Sequence, residues 1–139
     1  MLKAAAAKVY QSGLALVLGT AFALASPAVL ARKAPDSSLT LPGFEAIALT
    51  DLPREGQTTY SRILQGGPFS SDKDGAVFGN RERILPRQSR GYYREYTVRT
   101  PGARNRGARR IVCGGLQVQV PDACFYTSDH YSSFRQIVP

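Results

Sequence analysis

An uncharged run of Leu, Ala and Val residues covers positions 13–25, after a start that contains two lysines. As a helix, this run would cover only about 20 Å, which is less than the roughly 30 Å of a bilayer's hydrocarbon core. The pattern therefore predicts a secretory signal peptide over residues 1–31 and no stable membrane span. Small residues leave two cleavage sites open, after Ala25 or after Ala31.

Polar residues and a proline replace this pattern over residues 32–38, which predicts a flexible leader. The remaining length, residues 39–139, has room for one domain with a single hydrophobic core. We therefore expect one folded domain and no second catalytic domain.

Helical periodicity first occurs between about Leu52 and Leu64. Asp51 is a suitable N-cap, Glu55 lies in the first turn, and Pro53 fits the start of a helix. Gly66-Gly67-Pro68 would end the helix. The apolar positions predicted to form one rough buried face are Leu52, Tyr60, Ile63 and Leu64.

After Pro68 the pattern changes to short alternating runs separated by turn residues such as Asp74-Gly75. The runs predicted as strands are 76–78, 92–100, 109–113, 124–127 and 134–138. One helix followed by strands indicates the α+β class. We expect one N-terminal helix packed on a four- to five-stranded antiparallel sheet.

The chain is basic, with 18 Lys and Arg against 10 Asp and Glu and a formal net charge of +8. Arginine predominates after the signal peptide, and its planar fork of donors suits phosphate better than an ammonium group does. The composition favours a polyanionic partner. Charge alone does not separate RNA from DNA, an anionic membrane or an acidic inhibitor, and a basic surface with no partner stays open.

Cys113 and Cys124 are the only cysteines, and His130 is the only histidine. An oxidising compartment would favour a disulfide between the two cysteines, at the base of the connection 114–123. Because no His and Cys cluster occurs at metal-ligand spacing, we expect neither a metal nor another cofactor.

Two segments contain candidate chemistry. Strand periodicity and the loop 101–107 allow Glu95 to lie close to Arg106 and Arg110. In such an arrangement a carboxylate can move a proton while guanidinium groups hold a phosphate. A strand glutamate is more often a solvated partner of a cross-strand arginine, so this evidence is not specific by itself.

A lone histidine is also more often structural than catalytic. His130, however, lies in the polar and aromatic segment 128–131, which is predicted as a loop between the last two strands. Functional residues concentrate in such loops. An imidazole there would supply a second proton-transfer group near neutral pH.

Six segments, in this order, resemble the secreted microbial guanyl-specific ribonucleases, the family of ribonuclease Sa and barnase. They are Gly67–Phe69, Asp74–Glu82, Leu85–Pro86, Gly91–Val98, Thr100–Ile111 and Tyr126–Tyr131. The resemblance extends from about Leu52 to Ile137. Each segment is too short to be convincing alone, but together they imply the microbial ribonuclease fold.

The resemblance implies a role for each matching residue. It makes Glu95 the general base and His130 the general acid, places Arg106 and Arg110 at the phosphate, and gives Tyr131 a phosphate contact. The segment that matches the guanine-binding loop consists of Phe78, Gly79, Asn80, Arg81 and Glu82. In this loop the family's backbone amides meet guanine O6, its carboxylate accepts from N1–H and the exocyclic amine, and its aromatic residue packs near the base.

The implied function is a secreted enzyme, extracellular or periplasmic, that cleaves single-stranded RNA 3′ to guanosine through a 2′,3′-cyclic phosphate, without a metal. The alternative is a non-catalytic secreted cationic protein that binds RNA or the cell envelope. Such a protein does not need Glu82, Glu95 and His130 together, so their joint presence favours the enzyme. The expected partners are single-stranded RNA and, by analogy with barnase, an acidic protein inhibitor, and we expect a monomer.

Overall fold

A computed structural model describes residues 40–139, in which one helix packs on one sheet. Helix α1 spans Arg54–Gln65. The strands are β1 (Glu45–Ala48), β2 (Ala76–Val77), β3 (Tyr93–Thr97), β4 (Arg110–Gly114), β5 (Ala123–Thr127) and β6 (Arg135–Val138). The predicted signal peptide (1–31) and leader (32–38) lie outside the described residues. Within residues 40–139, no helix has the length and hydrophobicity needed to cross a bilayer.

The sheet has the order β1-β6-β5-β4-β3-β2 and is antiparallel except at one edge, where β1 runs parallel to β6. The α+β prediction is confirmed, but the sheet has six strands instead of four or five and is mixed instead of antiparallel. The prediction missed β1, because its sequence, EAIA, is short and contains one β-branched residue. Its pairing with the last strand, Ile47 opposite Ile137, is a contact between distant parts of the chain.

Helix α1 ends as predicted but begins later. Gly66 adopts a left-handed conformation (φ 80°), and its N–H donates to the carbonyls of Arg62 and Ile63. Asp51 is not the N-cap, because it belongs to a short 3-10 turn, Leu49–Asp51. Pro53 occupies the N-cap position and makes no side-chain cap.

One face of α1 is buried against the sheet, and it consists of Gly56, Thr59 and Ile63. Leu52, just before the helix, continues this face. The prediction that Leu64 is buried was wrong, since its side chain is 42% exposed. Successive helical positions are about 100° apart, so Leu64 points away when Ile63 points at the sheet.

The two sides of the sheet have separate hydrophobic clusters. The helix-side cluster contains Ile63, Tyr96, Ile111, Tyr126 and the two cysteines, among others. The opposite cluster contains Leu85, Tyr93, Val112, Phe125 and Phe134. Because side chains alternate along a strand, β3 contributes Tyr96 to the helix side and Tyr93 to the other. Glu95 therefore lies on the side opposite α1.

The predicted disulfide between Cys113 and Cys124 is confirmed, and it joins β4 to β5. The two residues are direct partners in the strand register, with Cα atoms 4.1 Å apart. Within the connection 114–123, Gln117 and Val120 form an isolated antiparallel β-bridge. The disulfide thus closes the base of this hairpin on the helix side of the sheet.

Candidate active site

Glu95 on β3 is held at both carboxylate oxygens by residues from other parts of the chain. The Tyr131 hydroxyl donates to Oε2 at 2.6 Å, and Arg106 Nη1 donates to Oε1 at 2.9 Å. The side chain is only 16% exposed. The geometry fixes the carboxylate while leaving each oxygen a second lone pair for a proton.

Arg106 is fixed in turn by a buried carboxylate and a hydroxyl. Its Nε donates to Thr97 Oγ1 at 2.7 Å, and its Nη2 lies 3.6 Å from Asp74 Oδ1. Partial burial acts to lower the pKa of Arg106, but the hydrogen bond to Glu95 and the nearby negative charges outweigh it and raise that pKa. Arg106 therefore stays a cation beside the candidate base.

Asp74 is a site residue whose role the sequence does not indicate, since the sequence places it only in a turn and at the start of the segment Asp74–Glu82. Its Oδ1 accepts from the Thr97 amide at 2.7 Å and from the Thr97 hydroxyl at 2.6 Å. Its side chain is 2% exposed. These contacts connect residues 23 positions apart, and no local pattern indicates them.

Arg110 lies behind the site and not on its surface. The residue is 3% exposed, and its Nη1 donates to the backbone carbonyls of Gly107 and Arg109 at 2.9 and 2.7 Å. Its guanidinium carbon lies 5.9 Å from the centroid of the Tyr131 ring. Arg110 therefore supports both the 101–107 loop and Tyr131.

His130 and Tyr131 lie in the loop between β5 and β6, as predicted, and both have left-handed backbone conformations, φ 55° and 72°. The His130 amide donates to the Ala108 carbonyl at 3.2 Å. Its imidazole is exposed, whereas Tyr131 is partly buried. Burial, followed by the hydrogen bond to Glu95, raises the pKa of Tyr131, so its hydroxyl remains a donor.

Asp129 organises this loop and was also missed. It accepts hydrogen bonds from Ser133 Oγ at 2.5 Å, Ser133 N at 2.9 Å and Thr127 Oγ1 at 2.8 Å. The Ser133 hydroxyl is the main reason that the pKa of Asp129 falls to about 2. The available signal was an Asp among Ser and Thr residues, which is typical of turns closed by side chains.

The 78–82 loop is anchored at both ends. The Phe78 amide donates to the Tyr93 carbonyl at 2.9 Å. Asn80 has a left-handed backbone, φ 45°, and forms two hydrogen bonds with Leu85. Asn80 Nδ2 donates to the Leu85 carbonyl at 2.8 Å, and the Leu85 amide donates to Asn80 Oδ1 at 3.1 Å. Glu82 is exposed and makes no ion pair within residues 40–139. Its carboxylate is free to accept from a ligand.

One cleft of about 380 Å³ brings most of the predicted site residues together. The predicted residues that line it are Phe78, Gly79, Asn80, Arg81, Glu82, Glu95, His130 and Tyr131. Arg106 and Arg110 are not among the residues that line it, but they contact Glu95 and Tyr131, which do. The ring centroids of Phe78 and Tyr131 are 5.0 Å apart. In the part of the chain that the structure describes, no group of three His, Cys, Asp or Glu residues could hold a metal.

Comparison with known proteins connects this site to one family. The ribonuclease family model matches residues 34–138. Guanyl-specific ribonuclease St of Saccharopolyspora erythraea is 53% identical over 93 residues, which cover 67% of this chain and 87% of that protein. Guanyl-specific ribonuclease Sa of Kitasatospora aureofaciens is 50% identical over 91 residues, which cover 66% and 91% of the two chains.

Solved structures agree with the sequence matches. The structure of ribonuclease Sa2 in complexes with mononucleotides has a TM-score of 0.65 and 40% sequence identity, and it covers 71% of this chain and 98% of that one. The structure of ribonuclease Sa2 with guanosine-2′-cyclophosphate has a TM-score of 0.62, 41% identity and coverage of 69% and 97%. The chain therefore belongs to the family of guanyl-specific ribonucleases.

Proposed function

We propose that the chain is an endoribonuclease that cleaves single-stranded RNA 3′ to guanosine, with Glu95 as general base and His130 as general acid. The observation that supports it best is the single cleft that contains Glu95, His130 and the whole 78–82 loop. A carboxylate and an imidazole on one cleft can take a proton from one substrate oxygen and donate one to another. The cationic binding protein is the weaker alternative, because the relatives with about 50% identity are named as enzymes.

In the first step, Glu95 accepts the proton of the guanosine 2′-OH while that oxygen attacks the adjacent phosphorus. The bond to the 5′-oxygen of the next nucleotide breaks, and His130 donates a proton to that oxygen. The products are a 2′,3′-cyclic phosphate and a free 5′-hydroxyl. Arg106, 2.9 Å from Glu95, stabilises the negative charge on the phosphoryl oxygens.

In the second step, water attacks the cyclic phosphate and the two residues exchange roles. His130 takes the proton from water, and Glu95 returns one to the 2′-oxygen, which leaves a guanosine 3′-phosphate. The nucleophile of the first step already belongs to the substrate, so the chemistry does not require a metal to generate it. Arg110 contributes a buried positive charge beneath Tyr131.

Base recognition depends on the 78–82 loop. Glu82 can accept from two donors on the Watson–Crick edge of guanine, whereas adenine lacks that pair of donors. Backbone amides of the loop would meet guanine O6, and Phe78 would pack near the base. Because this edge is occupied in a duplex, the substrate must be single-stranded.

The proposed function also includes a cellular location, an oligomeric state and a protein partner. The Cys113–Cys124 disulfide is consistent with an oxidising compartment, extracellular or periplasmic. We further propose that the enzyme acts as a monomer, because Glu95, His130 and the 78–82 loop of the same chain line one cleft. An acidic protein inhibitor that covers the cleft would protect the producing cell.

The test uses RNA digestion in the presence of EDTA. The wild-type protein should release fragments that end in guanosine 3′-phosphate. Glu95→Gln and His130→Ala should each lower kcat by about 10² to 10⁴, the usual contribution of one positioned proton-transfer group. Glu45→Gln, at an exposed carboxylate on β1, is the matched control and should retain full activity. Near-normal turnover in both site variants would contradict the mechanism.

A further inference from the structure

A second and larger cleft, of about 680 Å³, lies beside the active-site cleft. The two clefts share the segment 77–81 as a common wall. Four arginines line the second cleft, namely Arg81, Arg83, Arg87 and Arg90, and no acidic residue lines it. This concentration of one charge sign is not part of the acid-base site.

The positive charges of this cleft are not neutralised within the protein. In the described range 40–139, none of the four guanidinium groups forms an ion pair or a side-chain hydrogen bond. All four residues are exposed. Like charges gathered in one concave surface repel one another and focus a positive potential outward, which favours an anionic ligand.

The wall of the cleft is held in a fixed shape. Asn80 closes the 80–85 turn through its two side-chain bonds to Leu85, and the Arg83 amide donates to the Asn80 carbonyl at 2.9 Å. Arg83 itself has a left-handed backbone, φ 55°. The same turn thus places Glu82 at the active-site cleft and Arg83 at the second cleft.

We infer that the arginine-lined cleft is a phosphate-binding subsite for the RNA strand on the 5′ side of the cleaved guanosine. The inference rests on the proposed function. In that function the guanosine 3′-phosphate lies at Glu95 and His130, so nucleotides 3′ to the cut leave from that end. The arginine cleft shares the 77–81 wall with the active-site cleft but is not lined by Glu95 or His130, so we place the 5′-flanking nucleotides in it. Guanidinium groups suit backbone phosphates of any sequence.

The experiment compares three short substrates: the dinucleotide GpC, GpC with four uridines added on its 5′ side, and GpC with four uridines added on its 3′ side. The variant is Arg87→Gln with Arg90→Gln, which leaves the 78–82 loop intact. The matched control is Arg54→Gln with Arg62→Gln, which removes the same charge from exposed positions of α1. All three proteins are assayed for kcat/KM at several salt concentrations.

The wild type and control should prefer the 5′-extended substrate over GpC. The cleft variant should lose about fivefold in kcat/KM on that substrate, and its salt dependence should be shallower by about 1.4 in log–log slope, or about 0.7 for each lost phosphate contact. Its activity on GpC and on the 3′-extended substrate should equal that of the control. An equal loss on all three substrates, or a loss on the 3′-extended one alone, would overturn the inference.

Binding gives a second measurement that does not depend on turnover. The 5′-extended oligonucleotide with 2′-deoxyguanosine at the cleavage site cannot be cut, and fluorescence anisotropy then reports its Kd. The cleft variant should bind it about fivefold more weakly than the control, and equal Kd values would refute the subsite. If the wild type fails to cleave even GpC, the proposed function fails first, and that result is distinct from loss of the 5′ preference alone.

Discussion

At the scale of single residues, Glu95 joins parts of the chain that are far apart in sequence. Its partners are Arg106, 11 positions later, and Tyr131, 36 positions later. A carboxylate held at both oxygens keeps one orientation, which reduces the rearrangement needed at the moment of proton transfer. The hydrogen bonds around Glu95 thus prepare it for the role proposed above.

Glu82 is expected to control base selectivity, since its carboxylate faces the cleft without a partner in the described chain. Glu82→Gln replaces one acceptor with a donor that opposes the donors of guanine. We expect kcat/KM for cleavage after guanosine to fall by about 1 to 3 kcal/mol, and cleavage after other bases to change less. Dinucleotides that differ only in the first base provide the measurement, and unchanged guanosine preference would exclude this role.

Asp74 is expected to matter for stability. Asp74→Ala would leave the Thr97 amide, in a residue only 6% exposed, without its acceptor. An unsatisfied buried donor costs about 1 to 3 kcal/mol, which urea denaturation would detect. Asp74→Asn keeps an acceptor and should restore part of the loss. The exposed neighbour Asp72 offers the control Asp72→Ala, which should change the free energy of unfolding by less than about 0.5 kcal/mol.

The sequence predicted the residues whose types carry chemistry and the proximity of Arg106 to Glu95, but it did not indicate that Asp74 and Asp129 position them. Glu95, Glu82 and His130 were identifiable because they lie in segments that resemble a family. Asp74 acts through contacts with the Thr97 amide and hydroxyl, 23 positions away in the sequence, which no local pattern indicates. The phosphate contact of Arg110 stays a prediction, and its Nη1 also donates to the carbonyls of Gly107 and Arg109.

At the scale of elements, prediction succeeded where the pattern was local. The strands β2 to β6 lie within or close to the predicted runs, and Gly66 ends α1 as expected. The start of α1 and the edge strand β1 were not predictable, since a 3-10 turn displaced the expected cap and β1 depends on pairing with β6. Local residue propensities indicated neither the 3-10 turn nor the pairing of β1 with β6.

The Cys113–Cys124 disulfide should stabilise the β4–β5 hairpin. The cysteines are 11 positions apart, and closing a loop of that size contributes about 3 kcal/mol in the chain-entropy description. Dithiothreitol should therefore lower the urea midpoint of the wild type but not that of a double Cys→Ala variant. Activity on GpC should persist, because both cysteines pack on the helix side, opposite Glu95. Two free thiols in exported protein would contradict this expectation.

The β5–β6 loop should lose stability in acid through Asp129. Hydrogen bonds, chiefly from Ser133 Oγ, lower the pKa of Asp129 from 3.8 to about 2. A folded-state pKa below the unfolded one means that this contribution is complete above about pH 4 and is lost as the pH falls toward 2. Asp129→Asn should therefore be less stable than wild type at pH 6, and the difference should shrink at pH 2. A constant difference across this range would contradict the linkage.

At the scale of the whole molecule, the sheet separates stability from chemistry. One side of the sheet packs against α1 and contains the disulfide, and the other bears the cleft and its supporting aromatic residues. The loops that meet over the second side all follow or precede central strands, which hold them in place. Arginines dominate the larger of the two adjoining clefts, whereas the active-site cleft is lined by Glu82 and Glu95 as well as by Arg81 and His130.

Phosphate binding and the chemical step depend on different groups, and this difference predicts how the enzyme treats DNA. A single-stranded oligodeoxynucleotide presents the same phosphates, so it should compete with RNA for binding, and its inhibition should weaken as salt rises. It should not be cut, because it lacks the 2′-OH that Glu95 is proposed to deprotonate. Placing one riboguanosine within that DNA should restore cleavage at that single position, whereas one riboadenosine should not. Cleavage of the all-DNA strand would mean that the nucleophile comes from elsewhere, and an uncut riboguanosine would mean that recognition extends beyond the nucleotide in the cleft.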